Sequence, residues 1–221
     1  ESDLDGPSRE ALYHNLARDF YGMGQYVTPT GIVYHPRTGQ KHAVVQNVTG
    51  GQHLDTENPE HQATLKALGE NGELHKMTMM NIIAANHDRH RGNFMMTPGG
   101  MKLIDHGYAF ASNDMHMTPT PDYLKYYPGY HGSPVALNLH PEAAKWVQGL
   151  DPQKLDMEMR RHGVPHKYVD EARRRLVALQ HESRKPGATI TSILKAPFHQ
   201  HSNYAYDSPS GPGQSSANEV G

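Results

Sequence analysis

The sequence has no cysteine among its 221 residues and a formal net charge of only −2. Disulfides, zinc sites with thiolate ligands and cysteine nucleophiles are therefore excluded, and an intracellular setting is the simpler expectation. The small net charge does not predict a nucleic-acid-binding surface. No apolar run reaches the ~20 residues of a membrane-spanning helix. We expect a cytoplasmic protein with no transmembrane segment and no nucleic-acid partner, and membership of a viral or multi-protein assembly stays open.

Hydrophobic spacing predicts the elements of the first half of the chain. Leu12, Leu16 and Phe20 recur every four residues, which indicates a helix over residues 8–21. Two β-branched runs, 31–34 and 43–48, are joined by a polar turn and predict a hairpin. Residues 60–68 and 73–85 predict two helices, and the second is apolar enough to be buried.

The second half combines a long irregular segment with further helices. Residues 111–140 are rich in polar residues, proline and glycine, and predict a long loop. Helices are expected over 141–149, 151–162 and 166–183, with the basic run 173–175 on a solvated face. The chain turns polar from about residue 185, which predicts a disordered tail.

The chemistry is concentrated in residues 86–110. Two short apolar runs flank Pro98-Gly99-Gly100, and this pattern predicts a β-hairpin over 94–104. Asp88 and Asn93 precede the first strand, and Asp105 follows the second. The hairpin is therefore expected to gather two carboxylates and a carboxamide, which are hard oxygen donors of the kind that Mg²⁺ prefers.

The spacing of these residues resembles that of kinases. Asn93 follows Asp88 by five residues, as in the kinase catalytic loop, and Asp105-His106-Gly107 stands where kinases carry Asp-Phe-Gly. The order Asp-Arg-His-x-Gly-Asn followed by Ile-Asp-His-Gly resembles the branch of the kinase-like superfamily that holds phosphoinositide kinases, HipA-type kinases and related bacterial and phage proteins. The resemblance is sharp over about 25 residues.

The resemblance implies an α+β, protein-kinase-like fold with a truncated small N-lobe. The lobe of helix and hairpin would span residues 1–50, a mainly helical C-lobe 51–184, and the polar tail 185–221. The implied activity is an ATP- and Mg²⁺-dependent phosphotransferase whose acceptor (a protein, a lipid head group or a small molecule) is unknown.

The resemblance also implies roles for the residues of the site. Asp88 would be the base, and Asn93 and Asp105 the metal ligands. Arg89 and His90 would fix the loop or contact the transferred phosphoryl group.

Three further residues are implied to lie near the nucleotide. Glu10 would be the helix glutamate that orients a phosphate-binding lysine, although a solvated Glu in a first turn is the plainer alternative. Gln46 and Val48 would lie in a hinge that offers backbone groups to adenine. An ordinary strand end would give the same sequence pattern and is the alternative.

One departure from the kinase pattern keeps other functions open. No glycine-rich loop and no lysine precede the first helix, and the first lysine is Lys41. We therefore expect a kinase fold without its first strands, which an upstream segment or a partner would supply. One alternative is a catalytically inactive kinase-fold module within a larger assembly. Another is a metal phosphohydrolase that uses the His87-Asp88 doublet with His75 or His61.

Overall fold

The computed structural model describes residues 3–86, 88–110 and 137–197. The architecture is α+β, with two small antiparallel sheets beside a mainly helical part, which confirms the predicted fold class. Most of the predicted 111–140 loop and residues 198–221 of the predicted tail lie outside the described residues. Within the described part, no helix combines the length and apolarity needed to cross a membrane.

The N-terminal elements follow the sequence prediction closely. Helix α1 spans Gly6–Asp19, and the side chain of Asp5 caps it by accepting the Ser8 N–H. Strands β1 (Thr30–Tyr34) and β2 (Lys41–Val45) form the predicted hairpin, with Thr30 opposite Val45, and pack against α1.

The second sheet carries the predicted central hairpin. It has the order β3-β4-β5, with β3 at Gln52–His53, β4 at Phe94–Thr97 and β5 at Gly100–Leu103. Pairing of β4 with β5 confirms the hairpin predicted over 94–104. Strand β3 was not predicted, because two residues are too few to show a period-2 pattern.

Six more helices complete the described part of the chain. They are α2 (Pro59–Glu70), α3 (Glu73–Ile83), α4 (Pro141–Gly149), α5 (Pro152–Arg161), α6 (His166–Ser183) and α7 (Ile190–Lys195). Helix α3 is the centre of the core and contacts α2, α4, α6 and α7. Its methionines Met77, Met79 and Met80 are fully buried, as predicted.

Two sequence expectations about the C-terminal part are wrong. The polar composition predicts a disordered tail from residue 185, but α7 is a regular helix whose Ile190 and Ile193 are fully buried. Its six residues were too few to display helical periodicity. Arg175 does not lie on a solvated face: its side chain is buried, and its Nε donates to the carbonyl of Ile83 at the end of α3.

Candidate functional site

The register of the central hairpin brings Asn93 and Asp105 to the same end of the sheet. Phe94 is opposite Leu103, and the Ile104 N–H donates to the Asn93 carbonyl over 3.1 Å. Asp105 follows directly after this bond. Asn93 and Asp105 therefore stand beside each other where the two strands begin and end.

Asp88 is connected to the same place through Asn93. The side-chain nitrogen of Asn93, Nδ2, donates to the backbone carbonyl of Asp88 over 2.6 Å. The side-chain oxygen of Asn93 is therefore the atom that could bind a cation. The carboxylates of Asp88 and Asp105 are both accessible to solvent. The site therefore offers two accessible carboxylates and, from the buried Asn93, one amide oxygen, and oxygen donors of these kinds fit Mg²⁺ chemistry.

The backbone of Asp105 has an uncommon conformation. Its φ is 56°, in the left-handed region that residues other than glycine seldom adopt. Such a conformation persists only where neighbouring contacts hold it. The contacts around Asp105 therefore decide where its carboxylate points.

Arg89 is the central contact of the two loops. Its side chain is buried, and Nη1 donates to the carbonyls of Asn93 (3.0 Å) and Ile104 (2.6 Å). Nη2 lies 2.7 Å from Nδ1 of His106. Because these donors are committed inside the protein, the loop-fixing role predicted for Arg89 fits the structure and a contact with a phosphoryl group does not.

His90 lies at the surface next to the candidate base. Its Nδ1 accepts the Gly92 N–H over 3.0 Å, and its Nε2 is 4.0 Å from a carboxylate oxygen of Asp88. The ring therefore stabilises the turn into β4 and leaves one nitrogen facing Asp88.

Glu10 is buried, so the alternative of a solvated first-turn glutamate is wrong. Its carboxylate accepts the backbone N–H of His106 and is also bonded to that of Gly107. Burial, and then the nearby Asp105 carboxylate, raise the pKa of Glu10. Lys41, the first lysine of the chain, instead pairs with Asp5 (3.0 Å) and donates to the Ser8 hydroxyl (2.9 Å).

Gln46 and Val48 line a cleft of about 420 Å³. The linker 46–49 forms one wall, and the β4–β5 turn with Lys102 forms another. Gly51 lets the linker approach β4 closely, since a β-carbon there would come within 2.9 Å of the Met95 side chain. The predicted hinge segment thus borders a cavity beside the turn of the central hairpin, at the end opposite Asn93 and Asp105.

The histidines of the hydrolase alternative are separated and occupied by backbone. His61 Nδ1 accepts the Asp55 N–H (3.1 Å), and His75 Nδ1 accepts the His140 N–H (2.9 Å). Burial lowers the pKa of His75 to about 3. Asp88 follows helix α3 in a loop, His87 lies outside the described residues, and no three His, Asp or Glu side chains of the described part gather to hold a metal.

Sequence reasoning missed a buried polar cluster behind the loops. The Tyr13 ring stacks on the His106 ring with centroids 3.9 Å apart, and the Tyr13 hydroxyl donates to Asn81 over 2.7 Å. Burial, and then Arg89, hold the pKa of His106 well below its ordinary value. The available signals were Asn81 within an apolar helix and His106 in place of the kinase phenylalanine.

Comparison with known proteins finds similar solved structures and one family match. A solved HipA–HipB–operator DNA complex of a toxin–antitoxin system from Shewanella oneidensis MR-1 is similar at 15% identity and a TM-score of 0.31. The match covers 85% of this chain and 49% of the other, so this chain spans about half the length of that protein. No curated protein matches the chain.

The family match coincides with the loops described above. Residues 71–128 match the model of the phosphatidylinositol 3- and 4-kinase family, a segment that contains α3, Asp88, Asn93 and Asp105. The match covers less than half of the chain. It supports a relationship to the kinase-like superfamily.

Proposed function

We propose that this chain is the core of a kinase-like phosphotransferase that binds ATP with Mg²⁺. The observation that carries the proposal is the bridge that Arg89 makes between the carbonyls of Asn93 and Ile104. The buried guanidinium group of Arg89 thus joins the loop that begins at Asp88 to the segment that ends at Asp105. The family match over residues 71–128 supports the same assignment.

Each residue of the site has a defined part in this proposal. The side-chain oxygen of Asn93 and the carboxylate of Asp105 would hold Mg²⁺, which when bound neutralises the charge of the ATP phosphates. Asp88 orients the acceptor hydroxyl and takes its proton as the hydroxyl oxygen bonds to the γ-phosphorus and ADP leaves. The backbone of Gln46 and Val48 would face adenine along the 420 Å³ cleft.

The second candidate is a kinase-fold module without activity. The observation in its favour is that Glu10 bonds to the backbone at His106, while Lys41 is paired with Asp5. A phosphate-binding lysine beside Glu10 would come from another segment or partner. Without it, we expect weak nucleotide binding and slow phosphoryl transfer.

Titration calorimetry with ATP, with and without Mg²⁺, tests the proposal. Wild type should bind ATP only when Mg²⁺ is present. Asp105→Asn should lose this binding, because the substitution removes the negative charge of a metal ligand. Asp88→Asn should keep it, because the base acts on the acceptor hydroxyl and not on ATP. Equal behaviour of all three proteins would leave the inactive module as the better account. Tight binding of a transition metal without nucleotide would instead favour the hydrolase.

A further inference from the structure

The contact between Arg89 and His106 fixes the chemical form of the histidine. Nη2 of Arg89 and Nδ1 of His106 are 2.7 Å apart, and both side chains are buried. A guanidinium is protonated and can only donate hydrogen bonds. Nδ1 must therefore be the acceptor, which places the ring proton on Nε2 and leaves the imidazole neutral.

His106 is held at two further points. Its backbone N–H donates to the Glu10 carboxylate, and its ring lies flat on Tyr13 with an interplanar angle of 8°. Helix α1 supplies both Glu10 and Tyr13. His106 is thus fixed through its backbone, its ring face and one ring nitrogen. It directly follows Asp105, whose backbone has the left-handed conformation.

We propose that His106 is a positioning residue for Asp105 and acts as the hydrogen-bond acceptor of Arg89. The consequence for nucleotide binding depends on the proposed function, whereas the positioning itself does not. A phenylalanine at this place would stack on Tyr13 but offer no acceptor, and a buried guanidinium donor would lose its partner. Arg89 would then keep the Asn93 and Ile104 carbonyls and its longer bond to Asn81 but lose its bond to residue 106, and the segment 105–107 would be freer to move.

Two substitutions separate the acceptor from the ring. His106→Phe keeps an aromatic ring against Tyr13 and removes the acceptor. His106→Asn loses the ring but places its side-chain oxygen close to the position of Nδ1. If the acceptor matters, the asparagine variant should keep what the phenylalanine variant loses.

The first measurement is amide hydrogen exchange of Ile104 and His106, whose N–H groups bond to Asn93 and Glu10. Exchange should become about tenfold faster or more in His106→Phe and stay near wild type in His106→Asn, since a bond to a charged group is worth about a factor of ten. The ¹⁵N shifts of wild-type His106 should show a proton on Nε2 only. Leu155→Ala removes a fully buried side chain of α5 and controls for general destabilisation. In this variant, the exchange rates of the Ile104 and His106 amides should not rise more than those of other core amides.

The second measurement is the Mg²⁺-dependent affinity for ATP. It should fall about tenfold or more in His106→Phe and remain close to wild type in His106→Asn and Leu155→Ala. Wild-type exchange in His106→Phe, or equal acceleration in both His106 variants, would overturn the inference. If wild type binds no ATP, the proposed function fails, and hydrogen exchange alone decides the role of His106.

Discussion

Nη1 of Arg89 lies 2.6 Å from the carbonyl oxygen of Ile104, fifteen residues further along the chain. The same nitrogen donates to the carbonyl of Asn93, so one guanidinium group joins both ends of the central hairpin. The two carbonyls precede and follow the strands that position the candidate metal ligands. Stability and site geometry are thus coupled through one side chain.

Replacing Arg89 should therefore destabilise the fold. Arg89→Met leaves the carbonyls of Asn93 and Ile104, which are buried and half-buried, without this donor, and this should lower the free energy of unfolding by about 3 kcal/mol. Urea unfolding measures it. Arg91→Met, two residues on and exposed, is the matched control and should change stability by no more than about 0.5 kcal/mol. Equal effects of the two substitutions would contradict the bridging role.

The end of helix α3 offers a stabilising substitution. Ala85 has a φ of 49°, and bonds from Ala85 N to Ile82 O and from Asn86 N to Asn81 O form a Schellman motif around it. Glycine is the favoured residue at such a position, so Ala85→Gly should raise the free energy of unfolding by about 0.5–1 kcal/mol. The thermal midpoint reports this gain.

The same substitution within a helix provides the control. Ala67 is exposed in α2, and Ala67→Gly should cost about 1 kcal/mol. A lower midpoint for both variants would mean that Ala85 does not hold a left-handed conformation in solution.

His75 should make stability depend on pH. Burial, and then His140, lower its pKa from 6.5 to about 3, so between these values the unfolded chain binds a proton that the folded chain does not. The contribution of His75 to stability is therefore fully present above pH 6.5. It is lost as the pH drops toward 3, by up to about 1.4 kcal/mol of unfolding free energy per pH unit.

His75→Asn isolates this contribution. Asparagine does not titrate in this range and keeps an acceptor for the His140 N–H. Unfolding free energies of both proteins at several pH values should show a shallower slope for His75→Asn. Identical slopes would exclude His75 as a source of the pH dependence.

Helix α7 should contribute to the stability of the domain. Ile193 is fully buried, and Ile193→Ala should lower the free energy of unfolding by about 2–4 kcal/mol. Denaturant unfolding measures the loss. Lys195→Ala, in the same helix but exposed, should have almost no effect. If both variants resemble wild type, α7 does not pack on the core in solution.

The amino-acid sequence by itself determined the longer elements and the residue types of the site. Apolar spacing located α1, α3 and α6, and the Pro-Gly-Gly turn located the β4–β5 hairpin, because these signals are local in the chain. The same hairpin predicted that Asn93 and Asp105 would lie together. Elements of two and six residues, β3 and α7, were missed, because a pattern needs more residues to appear.

Only the tertiary structure decided which polar residues support the site. The sequence leaves Glu10 as either a kinase-type helix glutamate or a solvated residue of a first turn. The structure shows that it binds the backbone of His106, which is 96 residues away. Tyr13, Asn81, Arg89 and His106 meet only when α1 and α3 pack against the loops. No local pattern encodes these contacts, since a buried polar group is satisfied by whichever partner packing brings within about 3 Å.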